Sequence, residues 1–244
     1  MNARLQSTEP ETFILHDQQA IGQIAVELPG ATAIFQRLKL DFCCGGQFSL
    51  AQAASEKGLD VQAIMGELMG LQRTNAPLEN TSTSALIDHV LARYHAVHRE
   101  QLPELIRMAR RVEAVHRDHP LVPNGLTVLL EEAEQDLLSH MMKEENILFP
   151  MLKAGGNPFV SQPISMMRSE HSQHGAMLEQ LMAVCDNANA PQGACNTWRA
   201  LYAGISQLHE DLLNHIHLEN NILFSQFELP APEFKASACC GACC

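Results

Sequence analysis

The sequence predicts an all-α protein, an antiparallel four-helix bundle carrying a small helical N-terminal unit. Three observations predict it. Aromatic residues are only 5% of the 244, and the long segments are rich in Leu, Ala, Met, Glu and Gln, which favour helix. Four long helical patterns, near 84–117, 125–153, 162–188 and 195–227, are separated by the joints "HRDHPLVPNG", "AGGNPFVSQP" and "NANAPQGAC". Joints this short, rich in Pro, Gly and Asn, connect antiparallel neighbours. The chain also repeats itself: "DLLSHMMKEENILF" (Asp136 to Phe149) returns 75 residues later as "DLLNHIHLENNILF" (Asp211 to Phe224).

Taken in order, residues 1–12 (MNARLQSTEPET) have no apolar core and are expected to be a disordered leader. Residues 13–73 carry short helical patterns. "AIGQIAVEL" is broken by Pro29-Gly30, "ATAIFQRLKL" leads into the turn "DFCCGGQF", and "LAQAASEKG" and "VQAIMGELMGLQR" follow. Ser49, with Gln52 three residues on, and Asp60 are the expected N-caps of the last two. Helices this short must pack on each other or on the larger unit. Residues 74–84 (TNAPLENTSTS) read as a linker ending in a helix N-cap, and the bundle is expected over 85–229. Pro103 predicts a kink in the first long helix, because it leaves the Arg99 carbonyl without its usual partner. Residues 230–244, ending in "ACCGACC", have no helical period and are expected to be a flexible tail.

A net charge of −12 argues against nucleic acid and anionic membrane surfaces as main partners. No apolar run approaches the roughly 18 residues of a membrane span. The eight cysteines are therefore expected in a reducing cytoplasm, where thiols are more often reactive or metal-binding than structural.

A second repeat points to chemistry. "YHAVHREQL" (Tyr94 to Leu102) and "EHSQHGAML" (Glu170 to Leu178) share His-x-x-His and a later Leu at an offset of 76. The first two long helices thus correspond to the last two, a duplicated hairpin that can build a site on its axis. His140 and Glu144 are four apart, as are His215 and Glu219, so each pair shares one helix face. His95 and His171 hold matched positions on the other helix of each hairpin. Four histidines and two glutamates result: each glutamate can bridge two metals, each metal takes two histidines, and open positions remain. Imidazole suits Fe, Zn, Cu and Ni. A carboxylate-bridged dinuclear site in a bundle favours iron, although spacing does not exclude zinc.

Asp136 and Asp211, one turn before the matched histidines, read either as acceptors for a ligand histidine's second N–H or as solvated charges. His98 is expected to flank the site. His89, His174 and His209 carry weaker signals, and His217 is expected to point to solvent. Asn146, Asn221 and the Ile-Leu-Phe triplets read as packing and polar-joint residues. Cys43 and Cys44, next to Gly45-Gly46, are expected to be an exposed reactive or metal-transferring pair rather than core residues. Cys185 and Cys195 read as ordinary buried or loop thiols. Cys239, Cys240, Cys243 and Cys244 read either as a soft-metal cluster or as an oxidation-prone tail.

At "IDHVLARYHAVHREQLPEL", "SHMMKEENILFPM", "SEH", "NHIHLENNILF" and "DFCCGG" the sequence resembles the repair-of-iron-centres family of hemerythrin-like proteins, over roughly residues 18–228. The resemblance implies a hemerythrin-like bundle holding two non-haem iron ions, oxo- or hydroxo-bridged when oxidised. The implied ligands are His95, His140, Glu144, His171, His215 and Glu219, with the glutamates bridging. It implies that Glu170 lines ligand or proton access; the cysteine pair itself, Cys43 and Cys44, is expected to accept nitric oxide, electrons or iron in a thiol-transfer role. The resemblance implies a role in nitrosative and oxidative stress: repair of damaged iron–sulfur clusters by iron donation, nitric oxide binding, or nitric oxide reduction to nitrous oxide with an unidentified electron donor. The alternative is a non-catalytic binder that buffers nitric oxide or oxygen. A dimer remains among the open assembly states. The extra residues before the family's usual start and the "ACCGACC" ending depart from the family pattern.

Overall fold

The structure, a computed structural model, describes residues 15–71 and 81–228. The expected leader, residues 74–80 of the linker and the 230–244 tail with its four cysteines lie outside the described residues. Among the described residues there are helices and no strand.

The N-terminal unit is built from α1 (Ile21–Glu27), α2 (Ala31–Arg37), α3 (Leu50–Glu56) and α4 (Val61–Met69). Ser49 Oγ accepts the Gln52 N–H at 3.2 Å and Asp60 Oδ1 the Gln62 N–H at 2.9 Å, so both expected caps form. The helices bury Ile24, Phe35, Leu50 and Leu68 together, as their length requires.

The first long helix starts two residues earlier than its linker suggested, because Ser82 rather than Ser84 caps it, accepting the Ala85 N–H at 3.3 Å. It runs through α5 (Thr83–Val90), a π-helical turn (Leu91–His95) and α6 (Ala96–Val115). Pro103 lies inside α6, which continues across it; the irregularity of this helix is the π turn. The second comprises α7 (Leu126–Lys143), a π turn (Glu144–Leu148) and α8 (Phe149–Lys153). The third is α9 (Ser161–Val184). The fourth is α10 (Asn196–His217), followed by a π turn (Leu218–Leu223) and a short 3₁₀ turn (Phe224–Phe227). Helix α6 packs on α7, α7 on α9, α9 on α10 and α10 on α6, closing the bundle.

Two apolar clusters divide the bundle. One holds Leu102, Leu105, Leu130, Leu137, Leu181 and Leu208. The other holds Leu86, Ile87, Phe149, Met167, Leu223 and Phe224. The histidines and glutamates of the repeats lie in the polar layer between them, and burial at both ends keeps water from that layer.

The N-terminal unit docks on the end of α10. Asn221 Nδ2 donates to the Phe42 carbonyl and Asn220 Nδ2 to the Cys43 carbonyl, each at 3.0 Å. Gly46 makes this approach possible: a Cβ there would stand 2.6 Å from Asn221 Oδ1. His217, expected at solvent, is buried beneath this contact, with Phe42 edge-on at 5.3 Å. A docked second unit covers a helix face that a bundle alone would expose.

Candidate metal centre

His95, His140, Glu144, His171, His215 and Glu219 converge in the polar layer, all essentially inaccessible to solvent. They form two overlapping groups: His95, His215, Glu144 and Glu219, and His140, His171, Glu144 and Glu219. Within each group one donor atom per residue lies within 4.8 Å of the others. The two glutamates belong to both.

The carboxylate orientations give this overlap its meaning. Glu144 Oε2 faces His95 Nε2 and its Oε1 faces His140 Nε2, both at 3.3 Å. Glu219 Oε1 faces His215 Nε2 and its Oε2 faces His171 Nε2, both at 3.1 Å. Each carboxylate thus offers one oxygen to each histidine pair. None of these four oxygens has a hydrogen-bond partner, nor do His95 Nε2 and His215 Nε2. Uncompensated buried carboxylates are costly. His140 Nε2 and His171 Nε2 lie 3.1 Å apart. Their Nδ1 atoms face acceptors, Glu170 Oε2 and Asn220 Oδ1, both at 2.9 Å. In the neutral tautomers these partners select, two Nε2 lone pairs meet, and only a proton or a metal cation reconciles them. The donor set therefore fits a metal centre, and each group could hold one ion.

The titration behaviour agrees. Against burial, the charge of Glu144 and then of Glu219 holds His140 up to about 9. Burial and repulsion from Glu219 push Glu144 up, but His140 and His95 outweigh them and keep it below its ordinary value. Against burial, His215 and His171 hold Glu219 well below the carboxylate range. Complete burial keeps His215 below an ordinary imidazole.

The groups behind the histidines are not the two aspartates, and for Asp136 the solvated-charge reading holds. Asp136 is exposed. Asp211 is buried but pairs with Arg93 at 2.6 Å. The acceptors are instead Glu145 for His95 at 2.7 Å, Glu170 for His140 and Asn220 for His171. His215 Nδ1 has no such partner, and Tyr94 stacks on its ring at 5.0 Å. Periodicity of 3.6 missed Glu145 and Asn220 because each follows a site glutamate inside a π turn. The wider i→i+5 turn rotates each residue less, so neighbouring side chains can serve one face. The signal available in the sequence was their matched position in the repeat.

Glu170 is also held by Lys143 Nζ at 2.6 Å, which places a charged pair at the rim of the centre. His98 is buried against His215 and His174 against His140, as extra walls. Burial, then the neighbouring imidazoles, pushes both down to about 3, so they stay neutral. Neither His98 ring nitrogen has a partner.

Cys43 and Cys44 lie outside this layer. Cys43 is buried, contrary to the exposed pair expected, because the loop is pinned under Asn220 and Asn221. Its thiol is raised well above the ordinary value, first by the hydrogen bond to Cys44, then by burial and the charges of Cys44 and Asp41. Cys44 is partly exposed, Cys185 buried and Cys195 exposed. Among the described residues no helix is long and apolar enough to cross a membrane.

The hemerythrin HHE cation binding domain matches residues 86–227, and a domain of unknown function, ScdA_N, matches residues 17–72. The chain is 49% identical over 210 residues to the iron-sulfur cluster repair protein YtfE of Escherichia coli O157:H7, covering 84% of this chain and 94% of that protein. The protein of the same name from Shigella boydii serotype 4 is similar at the same identity and coverage.

Proposed function

The chain belongs to the repair-of-iron-centres family of hemerythrin-like proteins, and we propose that it holds two iron ions and supports repair of iron–sulfur clusters damaged by nitrosative or oxidative stress. The observation that carries this reading is the pair of buried carboxylates, each with one oxygen toward each histidine pair. In this reading His95 and His215 would hold one iron and His140 and His171 the other, with Glu144 and Glu219 shared by both. Iron held there would supply electrons and a docking point for nitric oxide, whose reduction balances as two nitric oxide, two electrons and two protons giving nitrous oxide and water. An external electron donor restores the electrons. Glu170, part-exposed and hydrogen-bonded to His140, would pass protons between solvent and the centre. His98 and His174 stay neutral and limit the space to a small ligand. Cys43 and Cys44 would take part in passing iron beside the bundle.

A second reading, reversible binding of a diatomic gas without turnover, draws support from His98, whose unpartnered buried nitrogens could bond a bound diatomic. One experiment separates these readings: anaerobic purification with metal counting, then nitric oxide titration while nitrous oxide and iron release are recorded. Many turnovers of nitrous oxide with an electron donor identify a reductase. Stoichiometric uptake without product identifies a buffer. Iron loss that restores an apo iron–sulfur enzyme identifies a donor. A protein that purifies without two irons and ignores nitric oxide refutes all three.

A further inference from the structure

We propose that Asp41, Cys43 and Cys44 form a third metal site, distinct from the bundle centre, that takes one thiophilic cation of the iron(II) class and keeps one coordination position open. The three residues form a separate cluster whose donor atoms lie within 4.8 Å of one another. Cys43 Sγ stands 3.8 Å from Cys44 Sγ and 3.4 Å from Asp41 Oδ1. A tetrahedral ion with metal–sulfur bonds of about 2.3 Å and metal–oxygen bonds of about 2.0 Å requires edges of about 3.8 Å and about 3.5 Å. The two edges at Cys43 already match such an ion, and the third, between Cys44 and Asp41, lies within 4.8 Å.

The donors are held in place from several sides. The Cys44 N–H donates to Asp41 Oδ1 at 2.9 Å, which fixes the carboxylate. Gly45 lets the loop close on it: a Cβ there would lie 2.9 Å from the Asp41 carbonyl and 3.2 Å from its Oδ2. Asn220 and Asn221 anchor the loop backbone, and Phe42 packs between Phe35 and His217. An acid and two thiols are thus gathered where Cys43 is buried and kept as a thiol. A nucleophilic cysteine sits in an electropositive, partly exposed setting instead. A cation reverses that balance by stabilising the thiolates directly.

The fourth position opens on a cleft of about 780 Å³ between the N-terminal unit and α9, lined by Cys43, Cys44, Lys39 and Glu179 among others. Three protein donors with one open position are the mark of an exchanging rather than a structural site. Soft thiolates with one oxygen suit iron(II), zinc or cobalt(II) over magnesium or calcium. The site deepens the iron-transfer reading above and rests on it for its purpose, though not for its coordination chemistry.

Cobalt(II) is the probe. It is added anaerobically to the full-length chain, with the bundle pre-loaded with iron and Cys239, Cys240, Cys243 and Cys244 changed to Ser to silence the tail. One equivalent is expected to bind with thiolate-to-cobalt charge-transfer absorption. Cys43→Ser and Cys44→Ser should each lose that absorption, and Asp41→Asn, at an exposed position, should weaken binding with the fold intact by circular dichroism. No charge-transfer band in the tail-silenced protein, or one unchanged in Cys43→Ser, overturns the site. Cobalt binding at this site together with a failure to pass iron to an apo cluster protein removes the transfer reading and leaves the site standing.

Discussion

Asn220 hydrogen-bonds both a histidine of the candidate site and the cysteine loop. Its Oδ1 accepts from His171 Nδ1 at 2.9 Å and its Nδ2 donates to the Cys43 carbonyl at 3.0 Å, with the residue buried. Asn220→Ala removes both bonds and strands a buried ring N–H. An unsatisfied buried donor costs about 1–3 kcal/mol, which corresponds to roughly 5- to 150-fold in an equilibrium constant at about 1.4 kcal/mol per factor of ten. Loss of such a supporting group behind a ligand histidine typically lowers metal affinity about 10–100-fold, in the same range. Asn220→Asp separates the two bonds. It keeps an acceptor for His171 but sets a carboxylate oxygen against the Cys43 carbonyl. Chelator competition should therefore show one weakened metal in the Ala variant and near-normal affinity in the Asp variant. Alkylation of Cys43, slow in the wild type because the residue is buried, should accelerate in both. Wild-type metal affinity in Asn220→Ala, or wild-type Cys43 alkylation in Asn220→Asp, would falsify the link.

Three further outcomes follow from the same geometry. Glu219→Ala removes a donor from both groups and should take the metal content, two ions in the proposed reading, toward none, whereas His95→Ala should spare the His140–His171 side; elemental analysis reads the difference. Gly46→Ala forces a methyl to within 2.6 Å of Asn221 Oδ1 and should cost about 1–3 kcal/mol as the N-terminal unit lifts, seen as lower thermal stability and faster proteolysis between the units. In the metal-free protein, His140 holds its proton up to about 9, above the ordinary 6.5 or so. Its contribution to stability is complete below about 6.5 and lost as pH rises through about 9. His98 and His174, held near 3, act oppositely: the unfolded chain takes their protons first, so stability falls as pH drops from about 6.5 toward 3. Metal affinity should accordingly rise with pH as His140 releases its proton, and pH-dependent metal titration with melting curves checks both signs.

The helices and the convergence of the six buried donors were legible in the sequence because they obey a 3.6-residue period and a 75-residue repeat. His140 and Glu144 share a face in any regular helix, and duplication supplied the rest. What was not legible depends on departures from that period and on contacts between units. Asp136 and Asp211 satisfy the spacing rule but not the geometry: one faces solvent and the other is taken by Arg93. The π turns, which no residue pattern announces, bring Glu145 and Asn220 to the histidines. Cys43 and His217 looked exposed because their cover is each other's unit.

The divergence within the repeat carries an argument of its own. The residue after each site glutamate backs a histidine in both halves, but it is Glu145 in the first and Asn220 in the second. Glu145 pairs with Arg99 at 2.8 Å, toward solvent, where an acceptor-only carboxylate serves well. Asn220 meets an N–H on one side and a carbonyl on the other. A carboxylate could satisfy the first but would repel the second, whereas an amide satisfies both. The next residue follows the same logic. Asn146 folds back on its own helix to the Met142 carbonyl, while Asn221 reaches the Phe42 carbonyl across the interface. Two copies of one hairpin therefore differ where only the second must carry the cysteine loop. A Glu145→Gln change should leave Cys43 alkylation untouched while weakening the metal held by His95. If it altered Cys43 as Asn220→Asp is expected to, the division of labour between the halves would be wrong.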